Sequence, residues 1–386
     1  MVPGRNKPKV FDGDIPWVTT PEINGRYIPS KLQVNYVSTT ALSDAGGKIV
    51  PQGAVVMAAV GELGLIAITS EPVVLNQQLH AFVCSKLVNN EYLAYWLTTQ
   101  KPYMESIASK TTIPYMNKTN CESIPVLLPP LAEQFKIAQI LSTWDKAISV
   151  TEKLLANSQQ QKKALMQQLV TGKKRLLDEN GVRFSGEWKR VKLGAIADMN
   201  SGGTPKSTVE EYYGGNIPWV SISDMTSNGK WIATTEKYLT ELGLNSSSAR
   251  IYPKNSVLYA MYASIGECSI AAVNLTSSQA ILGIRPKDCL NYEFLYFYLT
   301  SLKEKIKLQG QQGTQSNLNA GMVKEFELDL PSIREQQKIA AVLSAADAEI
   351  STLEKKLACL RDEKKALMQQ LLTGKRRVKV DEAVAE

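Results

Sequence analysis

Histidine and paired cysteines, the usual zinc ligands, are scarce in this sequence. Its 386 residues include one histidine, His80, and five cysteines that form no Cys-x-x-Cys pair. Cysteines that are widely spaced and odd in number predict neither a zinc site nor a disulfide framework, and we expect the thiols to be reduced. Because no second histidine can share a metal or a catalytic triad, His80 is interpreted as a structural residue within a strand.

Long apolar runs and catalytic carboxylate pairs are also missing. No eighteen consecutive residues are apolar, and the first dozen contain Pro, Lys and Arg without an apolar core. The sequence therefore predicts neither a membrane-spanning helix nor a secretory signal, and we expect a cytoplasmic protein. Neighbouring carboxylates such as Glu210 and Glu211 have no apolar pocket to separate their pKa values, so they are interpreted as solvated surface.

The composition is that of a globular protein large enough for two domains. Hydrophobic residues make up 44% of the chain and charged residues 21%, with no excess of Pro and Gly that would indicate disorder. The net charge of +7 suits a polyanionic partner. Many proteins that bind no nucleic acid have a similar charge, so the charge alone selects no function.

An internal repeat with a constant offset of 202 residues organises the chain. Residues 133–175 match residues 335–377 at about 26 of 43 positions without a gap. The same offset aligns two Ile-Pro-Trp-Val segments, which contain Trp17 and Trp219. The last part of each copy is nearly identical, whereas the globular part keeps only scattered residues. This pattern is expected of shared spacers that hold two different reading domains in one geometry.

Each copy ends in a predicted long amphipathic helix. From Ile339 to Leu371, apolar residues alternate at spacings of four and three, interrupted only by Lys364. The first copy has the same spacing, but polar residues, among them Lys162, replace apolar ones at some positions of the stripe. Such spacing is typical of helices that pack along one another. We expect the two helices to bury their apolar stripes on each other as an antiparallel pair, with a pseudo-twofold relation between the copies.

Terminal signals bound these two helices. Ser332 and Glu335 have the spacing of a capping box, and Gly172 and Gly374 stand where a C-terminal glycine cap is expected. Each helix is therefore predicted to be about forty residues, on the order of 60 Å, long.

The globular parts, residues 1–130 and 188–330, combine short strand and turn patterns with helices. Residues 49–56 and their repeat partners have a strand and turn pattern, and Asn90 and Asn291 are predicted N-caps of aromatic-rich helices. The predicted fold class is α+β, with two mixed α/β domains separated by two long antiparallel coiled-coil helices.

Several short motifs point to a known family. They are EQFKIA at 133–138, EQQKIA at 335–340, the Leu-Met-Gln-Gln-Leu-x-Thr-Gly-Lys ending of each helix, SGGTP at 201–205, IPWV at 217–220 and GTQ at 313–315. Together with the repeat they resemble the specificity subunit of type I restriction-modification systems, over nearly the whole chain. Each motif alone would be a weak signal, and the combination is specific.

The resemblance implies that two target-recognition domains each read one half of a bipartite sequence in double-stranded DNA. It also implies that the helices fix the spacing between the halves and dock two DNA adenine methyltransferase subunits, and it leaves open whether restriction subunits join. No cofactor is expected in this chain, since S-adenosylmethionine would be bound by the methyltransferase partner. The chain has neither an Asn-Pro-Pro-aromatic nor an Asp-Pro-Pro-aromatic tetrapeptide and no glycine-rich phosphate loop, which favours a non-catalytic subunit.

The resulting domain prediction has five parts. Residues 1–130 form the first target-recognition domain, with a shortened amino terminus, and residues 131–178 form the first conserved helix. Residues 179–331 form a linker and the second target-recognition domain, residues 332–377 the second conserved helix, and residues 378–386 a tail. The first copy lacks a counterpart of the strand and helix that open the second. The alternatives are a truncated reading frame, an alternative start, or completion by the C-terminal tail in a cyclic arrangement.

Base-reading residues should be polar, lie at matching positions of the two copies and differ between them, because contacts to base edges carry sequence information. This criterion selects two loops per copy: residues 109–118 opposite 311–319, and residues 59–64 opposite 262–267. With the motif at 201–205 included, the candidate DNA-binding residues are Lys110, Thr111, Thr112, Tyr115, Asn117 and Lys118 in the first copy, and Gly203, Thr204, Lys206, Tyr262, Ser264, Gln312, Gly313, Thr314, Gln315, Asn317 and Asn319 in the second.

Other basic and aromatic residues have competing interpretations. The basic clusters at 173–175 and 375–377 follow helix C-termini, where the helix dipole favours cations in any case, so phosphate contact and a purely structural role both stay open. Trp17 and Trp219 are interpreted as core anchors, because they occupy the same position in two copies that would read different targets.

Two other function classes remain as alternatives. A coiled-coil adaptor whose globular domains bind protein would show no salt-dependent affinity for DNA. A nuclease would need a carboxylate–lysine constellation or a metal cluster, for which the sequence offers no convincing candidate. Divergence concentrated in the globular parts, with the helices kept, favours two different DNA half-sites over a symmetric adaptor.

Overall fold

The computed structural model describes residues 13–31, 33, 35–109, 112–262, 264–311 and 318–380. The chain folds as two compact units: unit 1, Met1–Glu152 with Lys355–Glu386, and unit 2, Lys153–Glu354. The two longest helices each cross from one unit into the other, so each unit combines a globular part with one segment of each long helix. The predicted domain bounds, which separate the helices from the globular parts, stay a prediction.

Unit 1 contains mixed sheets with short helices. Its strands are β1 Ile15–Val18, β2 Tyr27–Ile28, β3 Tyr36–Val37, β4 Ile49–Val50, β5 Val55–Ala58, β6 Ile66–Thr69, β7 Val73–Leu75 and β8 Leu79–Phe82. The helices are α1 Thr39–Asp44, α2 Asn90–Thr99, α3 Lys101–Ile107, α4 Lys118–Glu122 and the long α5 Leu131–Leu169, which continues into unit 2. One sheet has the strand order β3-β1-β7-β4 and another the order β2-β6-β5-β8. The β1–β7 and β2–β6 pairs are parallel.

Unit 2 has the same kinds of layers. Its strands are β9 Lys189–Lys192, β10 Ala197–Ser201, β11 Tyr213–Val220, β12 Trp231–Ile232, β13 Lys237–Leu239, β14 Val257–Ala260, β15 Cys268–Ala271, β16 Thr276–Ser277, β17 Ile281–Pro286 and β18 Glu327–Leu330. The helices are α6 Leu193–Ile196, α7 Ile222–Asn228, α8 Glu241–Asn245, α9 Tyr292–Gln311, α10 Ala320–Lys324 and the long α11 Ile333–Leu371, whose end lies in unit 1. The sheet orders are β10-β17-β14-β15-β12, β13-β11-β16 and β18-β9.

In each unit the main apolar core joins a globular helix to the start of one long helix and the end of the other. In unit 1, Tyr92 of α2 shares a core with Ile137 of α5 and Leu371 of α11, and all three side chains are at most 4% exposed. In unit 2 the core contains their counterparts at the offset of 202 residues: Phe294, Ile339 and Leu169. Burial of one such side chain stabilises by about 1.5–3 kcal/mol, so each core depends on both long helices.

The predicted long helices and their glycine caps are confirmed. α5 and α11 are each 39 residues long. Gly172 and Gly374 have φ angles of 69° and 71°, a left-handed conformation that residues with a Cβ rarely adopt. The N–H groups of Lys174 and Arg376 then close the helix ends on the carbonyls of residues six positions earlier, at 3.1 and 3.0 Å.

The glutamate of the expected capping box, Glu335, binds an arginine that follows the end of the other long helix. Ser332 Oγ accepts the N–H of Glu335 at 3.3 Å, as predicted. The Glu335 carboxylate instead accepts hydrogen bonds from Arg175 Nε at 2.6 Å and from Trp188 Nε1 at 3.0 Å. The side chain of Glu335 is 2% exposed, and a carboxylate with so little access to water requires such partners.

Within each unit, polar contacts join α5 and the residues that follow it to α11 and the residues that follow it. As the residue number rises on the α5 side, the number of its partner on the α11 side falls. The pairs in unit 1 are Glu133–Arg377, Asp145–Lys364 and Glu152–Arg361. The pairs in unit 2 are Ser158–Glu349, Lys162–Asp347 and Arg175–Glu335. This is the order of contacts that an antiparallel pairing of the two helix segments requires.

The N-cap of α2 is Asn89, so the expectation of Asn90 is wrong. Asn89 Oδ1 accepts the N–H of Tyr92 at 2.9 Å, whereas the Asn90 side chain donates to the carbonyl of Gly53. Asn291 caps α9 as predicted. The offset of 202 residues leads from Asn291 to Asn89, so consistent use of the repeat identifies the right residue.

A buried glutamine ties the start of each long helix to the globular part. Gln134 Oε1 accepts the N–H of Asn89 at 2.9 Å, and its Nε2 donates to the carbonyls of Leu87 and Pro129. Gln336, which is fully buried, makes the equivalent three contacts in unit 2. These contacts explain why both copies of the Glu-Gln motif contain the amide.

The strand and turn pattern expected at residues 49–56 is confirmed. Residues 49–56 form β4, a turn with Gly53 at a φ of 81°, and the start of β5. Within the described ranges, no helix has both the length and the apolar character needed to cross a membrane.

We predict that Gln134→Ala lowers the free energy of unfolding by about 1–3 kcal/mol, because it leaves the buried N–H of Asn89 and the carbonyls of Leu87 and Pro129 without their partner. Urea unfolding followed by circular dichroism measures the change. Gln139→Ala, an exposed glutamine on the same helix, is the control and should shift the midpoint little. Equal effects of the two substitutions would contradict the role of Gln134.

A second prediction concerns pH. Hydrogen bonds from Arg377 hold the pKa of Glu133 below its ordinary value of 4.5. A depressed pKa contributes stability above the unfolded-state value that is lost as the pH falls through the folded-state value. The stability difference between the wild type and Glu133→Gln should therefore be largest near neutral pH and shrink below 4.5, as measured by urea unfolding across this range. Glu152→Gln, which removes an exposed ion pair with Arg361, is the control.

Candidate nucleic-acid interface

The two candidate loops of unit 1 lie side by side. The N–H of Met116 donates to the carbonyl of Ala59 at 2.7 Å. Tyr115 and Val60 form an isolated antiparallel β-bridge. The two polar loops, which lie some fifty residues apart in sequence, therefore form one continuous surface of unit 1, as a shared DNA contact would need.

Several candidates of unit 1 are accessible on this surface. Thr112 is exposed, the Tyr115 side chain is 44% exposed, and Lys118 is exposed beside Glu122, with 3.6 Å between ammonium and carboxylate. A cation held only by such a surface pair keeps its ability to bind a phosphate. Lys110 and Thr111 lie outside the described residues.

Two candidate asparagines have local structural roles. Asn117 Oδ1 accepts the N–H of Asn120 at 2.8 Å and caps α4. Asn319 Oδ1 accepts the N–H of Met322 at 3.0 Å and caps α10 in the same way. Helix capping alone accounts for an asparagine at these positions, and a DNA contact by either residue stays a prediction.

Unit 2 repeats the loop contact of unit 1. The N–H of Leu318 donates to the carbonyl of Met261 at 3.1 Å, the same pair of positions as Met116 and Ala59 at the offset of 202. Tyr262, next to Met261, has 39% of its surface exposed, and Ser264 is half-buried. The following candidates lie outside the described residues: Gln312, Gly313, Thr314, Gln315 and Asn317.

Gly203 occupies a packing position rather than an open one. Its carbonyl accepts the indole N–H of Trp219 at 2.9 Å, and its N–H donates to Ser277. A Cβ at Gly203 would lie 2.2 Å from the backbone nitrogen of Ala249, closer than any real contact. Close packing of the backbone therefore explains this glycine, and DNA contact by it stays a prediction.

The other unit 2 candidates lie along one strip of connected residues. The Thr204 hydroxyl is hydrogen-bonded to the Gln279 side chain. The adjoining Ala280 accepts the N–H of Met261 at 2.9 Å, which leads directly to Tyr262. Thr204 and the nearby Lys206 are both exposed. The fold thus connects the candidate motif at 201–205 with the loop at 262–267.

Trp219 and Trp17 pack in apolar clusters, as interpreted from the sequence, and His80 lies in a strand as predicted. Trp219 is 8% exposed and packs with Leu239 and Ala249, and Trp17 packs against another buried cluster. His80 lies in β8, where burial lowers the pKa of its imidazole. In the part of the chain that the structure describes, no group of three or more His, Cys, Asp or Glu side chains is placed to hold a metal.

The basic clusters after the long helices are only partly available for phosphate. Arg175 and Arg377 bind the buried carboxylates of Glu335 and Glu133. The lysines of the two clusters are exposed and keep phosphate contact as a prediction: Lys173, Lys174 and Lys375.

Two cations of structural importance were missed by sequence reasoning, Arg26 and Lys230. Each lies over an aromatic ring and beside a glutamate of the globular helix, at the junction with the long helices. One sequence signal pointed to this junction. Lys162 and Lys364 stand at the same position of the apolar stripe in the two long helices, and a lysine in an apolar stripe needs a charged partner.

The sequence of this chain is similar to those of known proteins. The family model described as "Type I restriction modification DNA specificity domain" matches residues 5–157 and 185–360. The specificity subunit of type I restriction enzyme MjaIX from Methanocaldococcus jannaschii is 36% identical over 172 residues, which are 44% of this chain and 40% of that protein. The MjaVIII specificity subunit of the same organism is 29% identical over 76% of this chain and 72% of its own length.

A solved structure shows the same fold at low identity. The crystal structure of the type I restriction-modification S subunit from M. genitalium superposes with a TM-score of 0.58 at 16% identity, over 95% of this chain and 91% of that one. At this identity the likeness concerns the fold alone. It agrees with the expected two-domain architecture of helices and mixed sheets.

We predict that Gly203→Ala destabilises unit 2 by about 1–3 kcal/mol, because the added methyl group must displace backbone atoms of the neighbouring segment. Thermal unfolding measures the change. Gly186→Ala is the matched control, since no atom lies within 4 Å of a Cβ placed there, and its effect should stay within about 0.5 kcal/mol. A stable Gly203→Ala protein would remove the packing explanation for this glycine.

Proposed function

Because this chain belongs to the type I restriction modification DNA specificity family, we propose that it reads a bipartite sequence in double-stranded DNA, one half with each unit. The chain performs no chemistry of its own in this proposal. Its role is to bring partner subunits to a defined DNA target, in the cytoplasm where the chromosome lies.

The observation that carries this proposal is the contact between two polar loops that recurs in both units. The backbone contact is equivalent in the two, between Met116 and Ala59 in unit 1 and between Leu318 and Met261 in unit 2. The sequences of the loops differ, since Tyr115 corresponds to Asn317 at the offset of 202. One backbone framework with different polar side chains suits two different half-sites.

The long helices act as the spacer in this proposal. α5 and α11 form an antiparallel coiled coil with a pseudo-twofold relation between the two repeat copies. The reversed order of ion pairs in each unit and the exchanged partners of Glu133 and Glu335 support this arrangement. A helix pair of fixed register would set the number of base pairs between the half-sites.

The partners in this proposal are two DNA adenine methyltransferase subunits, which bind S-adenosylmethionine. Restriction subunits are a further partner that the proposal allows and does not require. Exposed apolar side chains along α5 support a protein contact there: Leu131, Phe135, Val150 and Leu154, between 38% and 57% exposed. Apolar side chains exposed on a helix suit a protein interface better than a DNA contact, which is polar and basic.

The proposal is tested by long-read sequencing of genomic DNA scored for N6-methyladenine. Cells expressing this chain with its methyltransferase partner are compared with cells that lack only this chain. We expect one bipartite motif to lose its methylation completely in the cells without the chain. Replacing Gln315 and Asn317 with Ala should change or abolish one half-site while the other half-site and the assembled complex are kept.

Lys356→Ala, an exposed lysine of α11, is the control and should leave the motif unchanged. Identical methylation with and without the chain would overturn the DNA-reading function. The coiled-coil adaptor would then be favoured, and it predicts that any DNA affinity of the purified chain does not fall with added salt.

A further inference from the structure

A network of ion pairs and ring contacts in unit 1 joins the globular part to both long helices. The guanidinium of Arg26 donates to Glu91 at 2.8 Å and lies 3.7 Å from the centroid of the Tyr95 ring. The Tyr95 hydroxyl donates to Asp145 of α5, which also binds the ammonium of Lys364 of α11 at 2.5 Å. The globular part, the start of one helix and the end of the other therefore meet in one network.

Unit 2 contains a network of the same design. The ammonium of Lys230 lies 3.3 Å from the carboxylate of Glu293 and 4.6 Å from the centroid of the Phe297 ring. It also lies 3.9 Å from Asp347 of α11, which binds Lys162 of α5. The aspartate and the lysine thus come from opposite helices in both units, and a cation of the globular part completes each network.

The two cations are structurally equivalent although the repeat offset does not match them. An offset of 202 residues would pair Arg26 with Asn228. The short strands β2 and β12, which directly follow Arg26 and Lys230, pair in parallel with β6 and β15 at Ile68 and Ile270. Because 202 residues separate Ile68 from Ile270, the strands correspond, and so do the cations that precede them.

Both cations have restricted access to water, which strengthens their ion pairs. The two cations have side chains 23% and 13% exposed. The Tyr27 hydroxyl also donates to Glu91, at 2.6 Å, and this hydrogen bond raises the pKa of Tyr27 to about 12. Burial together with Asp145 raises the pKa of Tyr95. Both phenols therefore stay protonated and donate throughout the neutral range. Charge pairs with restricted access to water hold their geometry better than exposed surface pairs.

We propose that Arg26 and Lys230 are positioning residues that fix the angle at which each globular part meets its segments of α5 and α11, and thereby fix the spacer length of the DNA target. This inference rests on the proposed function. Neither residue belongs to the candidate loops. Each acts through the glutamate of the globular helix and the aspartate of the long helix rather than through contact with a base.

The geometry of DNA makes spacer length sensitive to this angle. One added base pair moves a half-site by about 3.4 Å along the helix axis and rotates it by about 35°. A globular part that can tilt on its helix junction would tolerate a spacer one base pair longer or shorter. The base-reading loops themselves would be unchanged, so both half-site sequences would stay the same.

The test measures N6-methyladenine by long-read sequencing in cells that express the complex with Arg26→Met or Lys230→Met, which keep the aliphatic stem and remove the charge. We expect the ratio of methylation at spacers altered by one base pair to methylation at the native spacer to rise at least tenfold in each variant. Arg26→Lys and Lys230→Arg, which exchange the cations between the units, should keep the wild-type ratio. Lys86→Met, an exposed cation of unit 1, is the matched control.

An unchanged ratio in both methionine variants would overturn the inference, and so would a change in the bases of either half-site. Absence of any bipartite motif with the wild-type chain would instead overturn the proposed function. If thermal unfolding shows that Arg26→Met gives no folded complex, the test uses Lys364→Gln instead. This substitution weakens the same network from the α11 side. The same broadening is then expected, and strict retention of the native spacer would count against the network.

Discussion

A buried glutamate at the start of each long helix, bound by an arginine that follows the end of the other, is the constraint on which the rest of the structure depends. Glu133 and Glu335 are 4% and 2% exposed, and a carboxylate so enclosed is costly without a partner. Arg377 and Arg175 supply that partner. A shift of one residue between the helix segments of a unit would separate its pair, so each pair fixes the register of the segments in its own unit.

The apolar cores also require both long helices to be in place. Leu371 packs with Ile137 in unit 1, and Leu169 packs with Ile339 in unit 2. Each globular part therefore finishes its core with residues from both repeat copies. This dependence explains why the helical parts of the copies are more similar than the globular parts: each must fit the same partner surface, and a substitution in one would need a matching change in the other.

The globular parts combine a rigid backbone with variable side chains. Gly203 and Trp219 are fixed by close packing and a hydrogen bond between them, and the two polar loops of each unit are joined through backbone groups. Backbone contacts place few demands on side-chain identity. The sequences of these loops can therefore differ between the copies without a change in the backbone framework.

The sequence by itself determined the repeat and the two long helices with their glycine ends, because periodicity, caps and duplication are local patterns along the chain. The loops selected for DNA reading stay a prediction. Sequence reasoning misassigned the cap at Asn89, where two adjacent asparagines offer the same local signal. Only the tertiary structure showed that Arg26 and Lys230 occupy equivalent positions, since their equivalence departs from the repeat offset and is defined by strand pairing. It also decided that Lys162 and Lys364 stabilise a junction instead of merely weakening an apolar seam, because their aspartate partners lie on the opposite helix, roughly two hundred residues away in the sequence.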